Sequence, residues 1–225
     1  MYELKLFTMF KMLFFLLISI SAYAQDVLDQ DLIRGTVFKS FDLGGGALVG
    51  TPYINEEFLP AKINDGKVLY FMRYDAYTNQ MEAQQEDGIY LAPMSYNVTI
   101  NFTTTDKTYQ VFDYFVDGEF TTEFFVVLTK GRHKLLVLED VKFFEGVKTR
   151  STLKEDTPPT LKRVTDKFFV SQADHNAVEL PRKKNDFLSL FKEDAEKIEA
   201  YMKKEKLGNK SKEDLIKIFE FYNSF

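Results

Sequence analysis

Turn signals recur at short intervals through the middle of this chain, and they constrain its fold more than any other feature. Asn64-Asp65-Gly66, Thr78-Asn79, Asp87-Gly88, Asp117-Gly118 and Lys130-Gly131 punctuate a series of short runs. Asp-Gly reads as a tight hairpin turn because both positions must tolerate positive φ. The runs between these signals are rich in β-branched and aromatic residues: Val68–Tyr74, Asn97–Thr103, Tyr109–Phe115, Phe124–Thr129 and His133–Leu138. Asn97–Thr103 alternates cleanly and puts Val98, Ile100 and Phe102 on one face. Val68–Tyr74 is apolar on both faces until Arg73, which predicts an inner strand covered on both sides. Closely spaced short strands of this kind predict a mostly antiparallel sheet, a meander curled into a roll or partial barrel. Leu161–Ser171 reads as its last strand.

From Asn185 the period changes from strand to helix. Ala195, Ile198, Tyr201 and Met202 fall on one side of a helix that stops near Gly208. Ser211-Lys212-Glu213-Asp214 resembles a capping box, and Leu215, Ile216, Phe219 and Tyr222 form the apolar stripe of a final helix. The expected fold class is therefore α+β, with a β-rich body over 25–181 and a C-terminal helical hairpin over 182–225 packed on it. Lys148–Pro159, charged and ending in prolines, reads as a mobile loop or junction.

The N-terminus reads as a targeting segment. Lys5 and Lys11 give a basic start, Met12–Ile20 is a short apolar run, and Ala22-Tyr23-Ala24 is a small-x-small cleavage signal. Residues 1–24 are expected to be a signal peptide, cut between Ala24 and Gln25. The apolar run is too short to span a bilayer, and nothing later in the chain could do so as a helix. The mature protein is expected in the periplasm or outside the cell.

Composition excludes several classes of function. The formal net charge of −5 argues against a nucleic-acid partner. The chain has no cysteine, which removes disulfides, thiolate metal sites, cysteine nucleophiles and a lipoprotein anchor. Gly44–Gly50 tempts a phosphate-loop reading, but it lacks Gly-Lys-Ser/Thr and the dinucleotide spacing, so a glycine loop is expected and no cofactor. His133 and His175 match no metal-ligand spacing. Glu56 and Glu57 are adjacent, so on a strand they face opposite ways and make no acid/base pair.

Gly50–Phe58 (GTPYINEEF) and Met72–Glu82 (MRYDAYTNQME) resemble the paired motifs of an uncharacterised family of secreted proteins common in Bacteroidota. Ile198–Asn223 is similar to the helical tail of the same proteins. The resemblance implies export and says nothing of chemistry; Gln80 stands where those proteins usually carry an acid. Within the motif, Arg73, Tyr74, Asp75 and Tyr77 are the residues to watch. Arg73 ends an apolar run, so its stem is expected to be buried and its head paired, with Asp75 on the same strand face as one candidate partner. A pairing or register device is favoured over a ligand contact. The expected function is a non-enzymatic envelope protein that contacts another envelope protein or the cell surface. The rival is a carrier of an apolar ligand, such as a lipid, inside the curled sheet.

Overall fold

The structure is a computed structural model that describes residues 48–116, 118–147, 156–172 and 175–225. The expected signal peptide, the cleavage site at Ala24 and Gln25, Gly44–Gly46 and most of the charged connector lie outside the described residues. The protein is β-rich, with helices at its C-terminal end. Its strands are β1 (Leu59–Ile63), β2 (Tyr70–Asp75), β3 (Gln80–Gln85), β4 (Gly88–Leu91), β5 (Thr99–Phe102) and β6 (Thr108–Val116). There follow β7 (Glu119–Val127), β8 (His133–Leu138), β9 (Val141–Phe144), β10 (Thr160–Arg163), β11 (Lys167–Gln172) and β12 (Asn176–Glu179).

Ten strands form one sheet in the order β12-β11-β8-β7-β6-β5-β1-β2-β3-β4. The first five of these close on themselves, because β12 also pairs with β6 through Asn176↔Asp113 and Ala177↔Tyr114. That pairing is parallel, so the sheet is mixed where a meander alone would be antiparallel throughout. The reason is topological. β6, β7, β8, β11 and β12 are linked by antiparallel pairings, and an odd number of alternating strands leaves the first and last pointing the same way. The expected last strand is also divided. Leu161–Arg163 belongs to β10, which pairs with β9 in a separate two-stranded ribbon, and β11 and β12 complete the ring.

Strand alternation sorts the side chains. Phe112, Phe125, Leu136, Leu138, Phe169 and Ala177 point into the ring and form one buried cluster. Phe125 meets Phe112, Tyr114 and Phe169 edge to face, with ring centroids 5.9, 5.7 and 5.1 Å apart. The interior of so small a ring is filled by side chains. Tyr109, Val111, Phe124, Val126 and Val137 point outward, and the remaining strands curl back over them with Met72, Tyr74, Met81, Ile100 and Phe102.

The turn after β1 departs from expectation. The positive φ falls on Asn64 (52°), and the Gly66 N–H donates to the Ile63 carbonyl. β2 starts at Tyr70, and Val68 and Leu69 are exposed in a wider loop. Asparagine tolerates the left-handed region, so Asn64 takes the role that Asp65-Gly66 was expected to play. Gly50 shows the opposite case. Its φ is +87°, and a Cβ there would lie 2.1 Å from the Leu161 carbonyl oxygen, so only glycine lets the two backbones meet.

The helices are α1 (Lys184–Ser189), a single 3₁₀ turn (Lys192–Asp194), α2 (Ala195–Glu205) and α3 (Lys212–Tyr222). α2 ends on Lys206 in the left-handed conformation (φ 56°), two residues before the glycine expected to stop it. Ser211 caps α3 by accepting from the Asp214 N–H (3.2 Å), and the Asp214 carboxylate accepts from the Gly208 N–H (2.9 Å). α3 buries Leu215, Ile218 and Phe219; Ile216 and Tyr222, placed in the stripe from sequence, lie at its margin. These helices cover the outward face of β8 and β11 through Leu135 and Val170.

Candidate functional site

The two halves of the motif meet at Arg73. Its Nε donates to Glu82 Oε2 (2.8 Å), directly opposite on β3. Nη1 donates to the Glu56 carbonyl (3.1 Å) and Nη2 to the Tyr53 hydroxyl (2.7 Å). The guanidinium carbon lies 3.5 Å from the Tyr53 ring centroid and 4.3 Å from that of Phe58. A cation held between aromatic rings and a carboxylate has its charge and three of its five N–H donors met within the chain. Asp75 is not its partner. The Asp75 carboxylate sits at the end of β2 and accepts from the Tyr77 and Thr78 N–H groups (3.0 and 2.9 Å), forming the turn into β3. Tyr74 is buried, and its hydroxyl donates to Asn79 Oδ1 (2.8 Å), which also accepts from the Phe124 N–H (3.0 Å). Burial pushes the Tyr74 phenol well above its ordinary value. The four candidate residues thus serve three separate contacts, with Tyr77 entering through its backbone N–H.

A second polar centre was not visible in sequence. Glu139 follows β8 and is buried. Its Oε1 accepts from Lys107 Nζ and Arg163 Nη2 (2.8 Å each), and its Oε2 from the Tyr109 hydroxyl (2.5 Å). Burial alone would raise this carboxyl; the hydrogen bonds from Lys107 and Tyr109, with the charges of Lys107 and Arg163, outweigh it and hold it below its ordinary value. Both oxygens are engaged, so Glu139 ties together β6, β8, β10 and the turn before β6, and is not poised to move a proton. The two histidines are also separate: His133 stacks on Tyr222 and His175 on Tyr96. Among the described residues no group of three or more histidines and carboxylates is placed to hold a metal ion.

The exposed feature of note is the tip of the β6–β7 hairpin. Val116 pairs with Glu119, and Phe115 lies opposite Phe120. Their rings meet edge to face with centroids 5.2 Å apart, yet Phe115 is 62% and Phe120 72% exposed. The base of the hairpin is braced: Asp113 accepts from the Tyr96 and Thr122 hydroxyls (2.6 Å each), and β12 pairs alongside. The signal was present in the sequence, as phenylalanines placed symmetrically about Asp117-Gly118. From sequence Phe115 closes the run Tyr109–Phe115, while Phe120 falls between the turn signal and the run Phe124–Thr129.

Compared with known proteins, the chain matches no family model, no curated protein and no solved structure. Among the described residues, no helix is long and apolar enough to cross a membrane.

Proposed function

We propose that this is an exported envelope protein that works by contact with another envelope protein and carries out no reaction of its own, and that the β6–β7 tip makes that contact. The exposed Phe115–Phe120 pair carries this reading. Burying a phenylalanine side chain is worth about 1.5–3 kcal/mol, so two side by side on a braced hairpin form an anchor awaiting a pocket. The export half of the reading rests on the Lys5–Ala24 pattern and on the likeness of Gly50–Phe58 and Met72–Glu82 to secreted proteins of Bacteroidota. Arg73 supports a structural role for that motif, since it binds Tyr53, Glu56 and Glu82 of the same motif pair. The alternative, an apolar ligand inside the curled sheet, draws no support from the closed ring, whose interior is occupied by Phe112, Phe125 and Phe169.

The test is affinity capture from envelope extract of the native host, comparing the wild type with the double variant Phe115→Ser, Phe120→Ser. Both residues are exposed, so the variant should keep its melting midpoint. A protein retained by the wild type and lost by the variant supports the reading. Equal retention by both would move the contact elsewhere.

A further inference from the structure

The hairpin tip leaves part of a strand edge open. Along one side β6 pairs with β7 from Glu119 to Val126, but on the other side β8 pairs with it only at Val126 and Val127. Toward the tip, Asn79 stands in for the missing strand. Its Nδ2 donates to the Thr122 carbonyl (3.2 Å), and its Oδ1 accepts from the Phe124 N–H (3.0 Å). Those bonds fix where the next backbone groups point. In an antiparallel pair, alternate residues turn both N–H and C=O away from the partner strand. On this half of β7 the outward residues are therefore Thr122 and Phe120. β6 shows the same register: Asp113, opposite Thr122, sends its N–H away from β7 to the His175 carbonyl (2.7 Å). Among the described residues nothing bonds the Thr122 N–H, or the N–H and C=O of Phe120. Beside this edge stand the exposed side chains of Phe120 and Glu119, and Glu119 makes no ion pair among the described residues.

We infer that this edge takes an extended segment of the partner as an added strand, with an apolar side chain set against Phe120 and a basic one against Glu119. The inference rests on the hairpin tip being the contact, and says how that contact is made. Backbone donors and acceptors in a row along one strand edge are matched by another extended backbone, whose own groups alternate at the same spacing. The side chains of the added strand then pair across it with those of β7. A second copy of this chain is disfavoured, because pairing through the same edge would bring its Glu119 and Glu123 to a strand that already carries both.

The test is an NMR titration of the full chain with three acetylated and amidated peptides. The first is Lys-Val-Lys-Val-Lys-Val, the second is the same peptide N-methylated at alternate residues, and the third has Glu in place of Lys. The first should saturate, shift the Phe120 and Thr122 amides and slow their exchange with solvent. The N-methylated peptide, which keeps the side chains but loses backbone donors, should bind at least about tenfold more weakly, and so should the Glu peptide. Thr122→Pro removes the open N–H at a position where a strand edge tolerates proline, and should bind the first peptide at least about tenfold more weakly than Thr122→Val, which loses the same hydroxyl and keeps the N–H. Equal binding of the plain and N-methylated peptides, shifts confined to other surfaces, or no saturation would overturn the proposal. These wild-type arms stand whether or not Thr122→Pro folds. No saturation, with envelope capture still lost in the Phe115→Ser, Phe120→Ser variant, would leave the tip as the contact and remove only the strand pairing. Saturation at Phe120 and Thr122, with capture unchanged in that variant, would keep the pairing edge and remove the phenylalanine anchor.

Discussion

Asn223 at the end of α3 is predicted to be the residue that locks the C-terminal helix to the sheet. Its Oδ1 accepts from the His133 N–H (2.9 Å), and its Nδ2 donates to the carbonyls of His133 (2.8 Å) and Lys130 (3.1 Å). Asn223→Ala removes all three contacts. The bond to Lys130 is exposed, so water replaces it at little cost. The two at His133 are partly buried, and at about 0.5–1.5 kcal/mol each they put the loss near 2 kcal/mol. For a protein of this size that corresponds to a fall in melting temperature of about 4–8 °C. Asn223→Asp keeps the acceptor but loses both donors and turns a carboxylate toward two carbonyls, so it should cost at least as much. Ser224→Ala is the control, because its hydroxyl makes an exposed bond to the Phe221 carbonyl alone. Urea denaturation followed by circular dichroism gives the comparison. An Asn223→Ala midpoint equal to the wild type, or an Asn223→Asp variant that keeps full stability, would refute this account of how α3 is held.

Phe219→Ala should cost roughly 3–5 kcal/mol by denaturation, the usual range for a buried phenylalanine, since Phe219 is 1% exposed. Gly50→Ala should lower the thermal midpoint sharply, because its Cβ would meet the Leu161 carbonyl at 2.1 Å; an unchanged midpoint would show that Val49–Gly50 does not lie against β10. Glu139→Gln should destabilise by about 2 kcal/mol at neutral pH, less than a fully buried pair because Lys107 and Arg163 reach solvent. The folded pKa of Glu139 is depressed, so its contribution is present above the unfolded carboxylate pKa and lost as pH falls through the folded one. Wild type and Glu139→Gln should therefore converge in acid, and parallel stability curves across pH 2–7 would contradict the assignment.

Local signals carried most of the elements into view. Val98, Ile100 and Phe102 are buried as their alternation requires, and the Ser211 cap and the buried Leu215 and Phe219 follow from helix period and capping chemistry. Closure of the ring was not legible, because it depends on Asn176–Glu179, a short polar segment whose strand conformation is imposed by its neighbours β11 and β6. The partner of Arg73 was misjudged for a similar reason. Asp75 lies nearer in sequence, but cross-strand register brings Glu82 opposite, and register depends on a turn that closes through Asn79. Glu139 could not have been foreseen, since its partners reach it from two separate segments, Lys107 and Tyr109 from one and Arg163 from the other. Phe115 was read as strand and Phe120 fell before the expected run Phe124–Thr129, because composition alone does not tell where a strand starts or where a sheet stops covering it.

The most direct test of an interaction role is site-specific photocrosslinking from position 120 in the native host, with a benzophenone side chain in place of the exposed Phe120 ring. A braced apolar hairpin that docks a partner predicts one discrete crosslinked species, absent without irradiation and suppressed when Phe115 is also changed to Ser. The same label at exposed Phe144, on the separate β9–β10 ribbon, is the comparison. No adduct from position 120, alongside a discrete adduct from position 144, would contradict the hairpin as the contact and assign it to the ribbon.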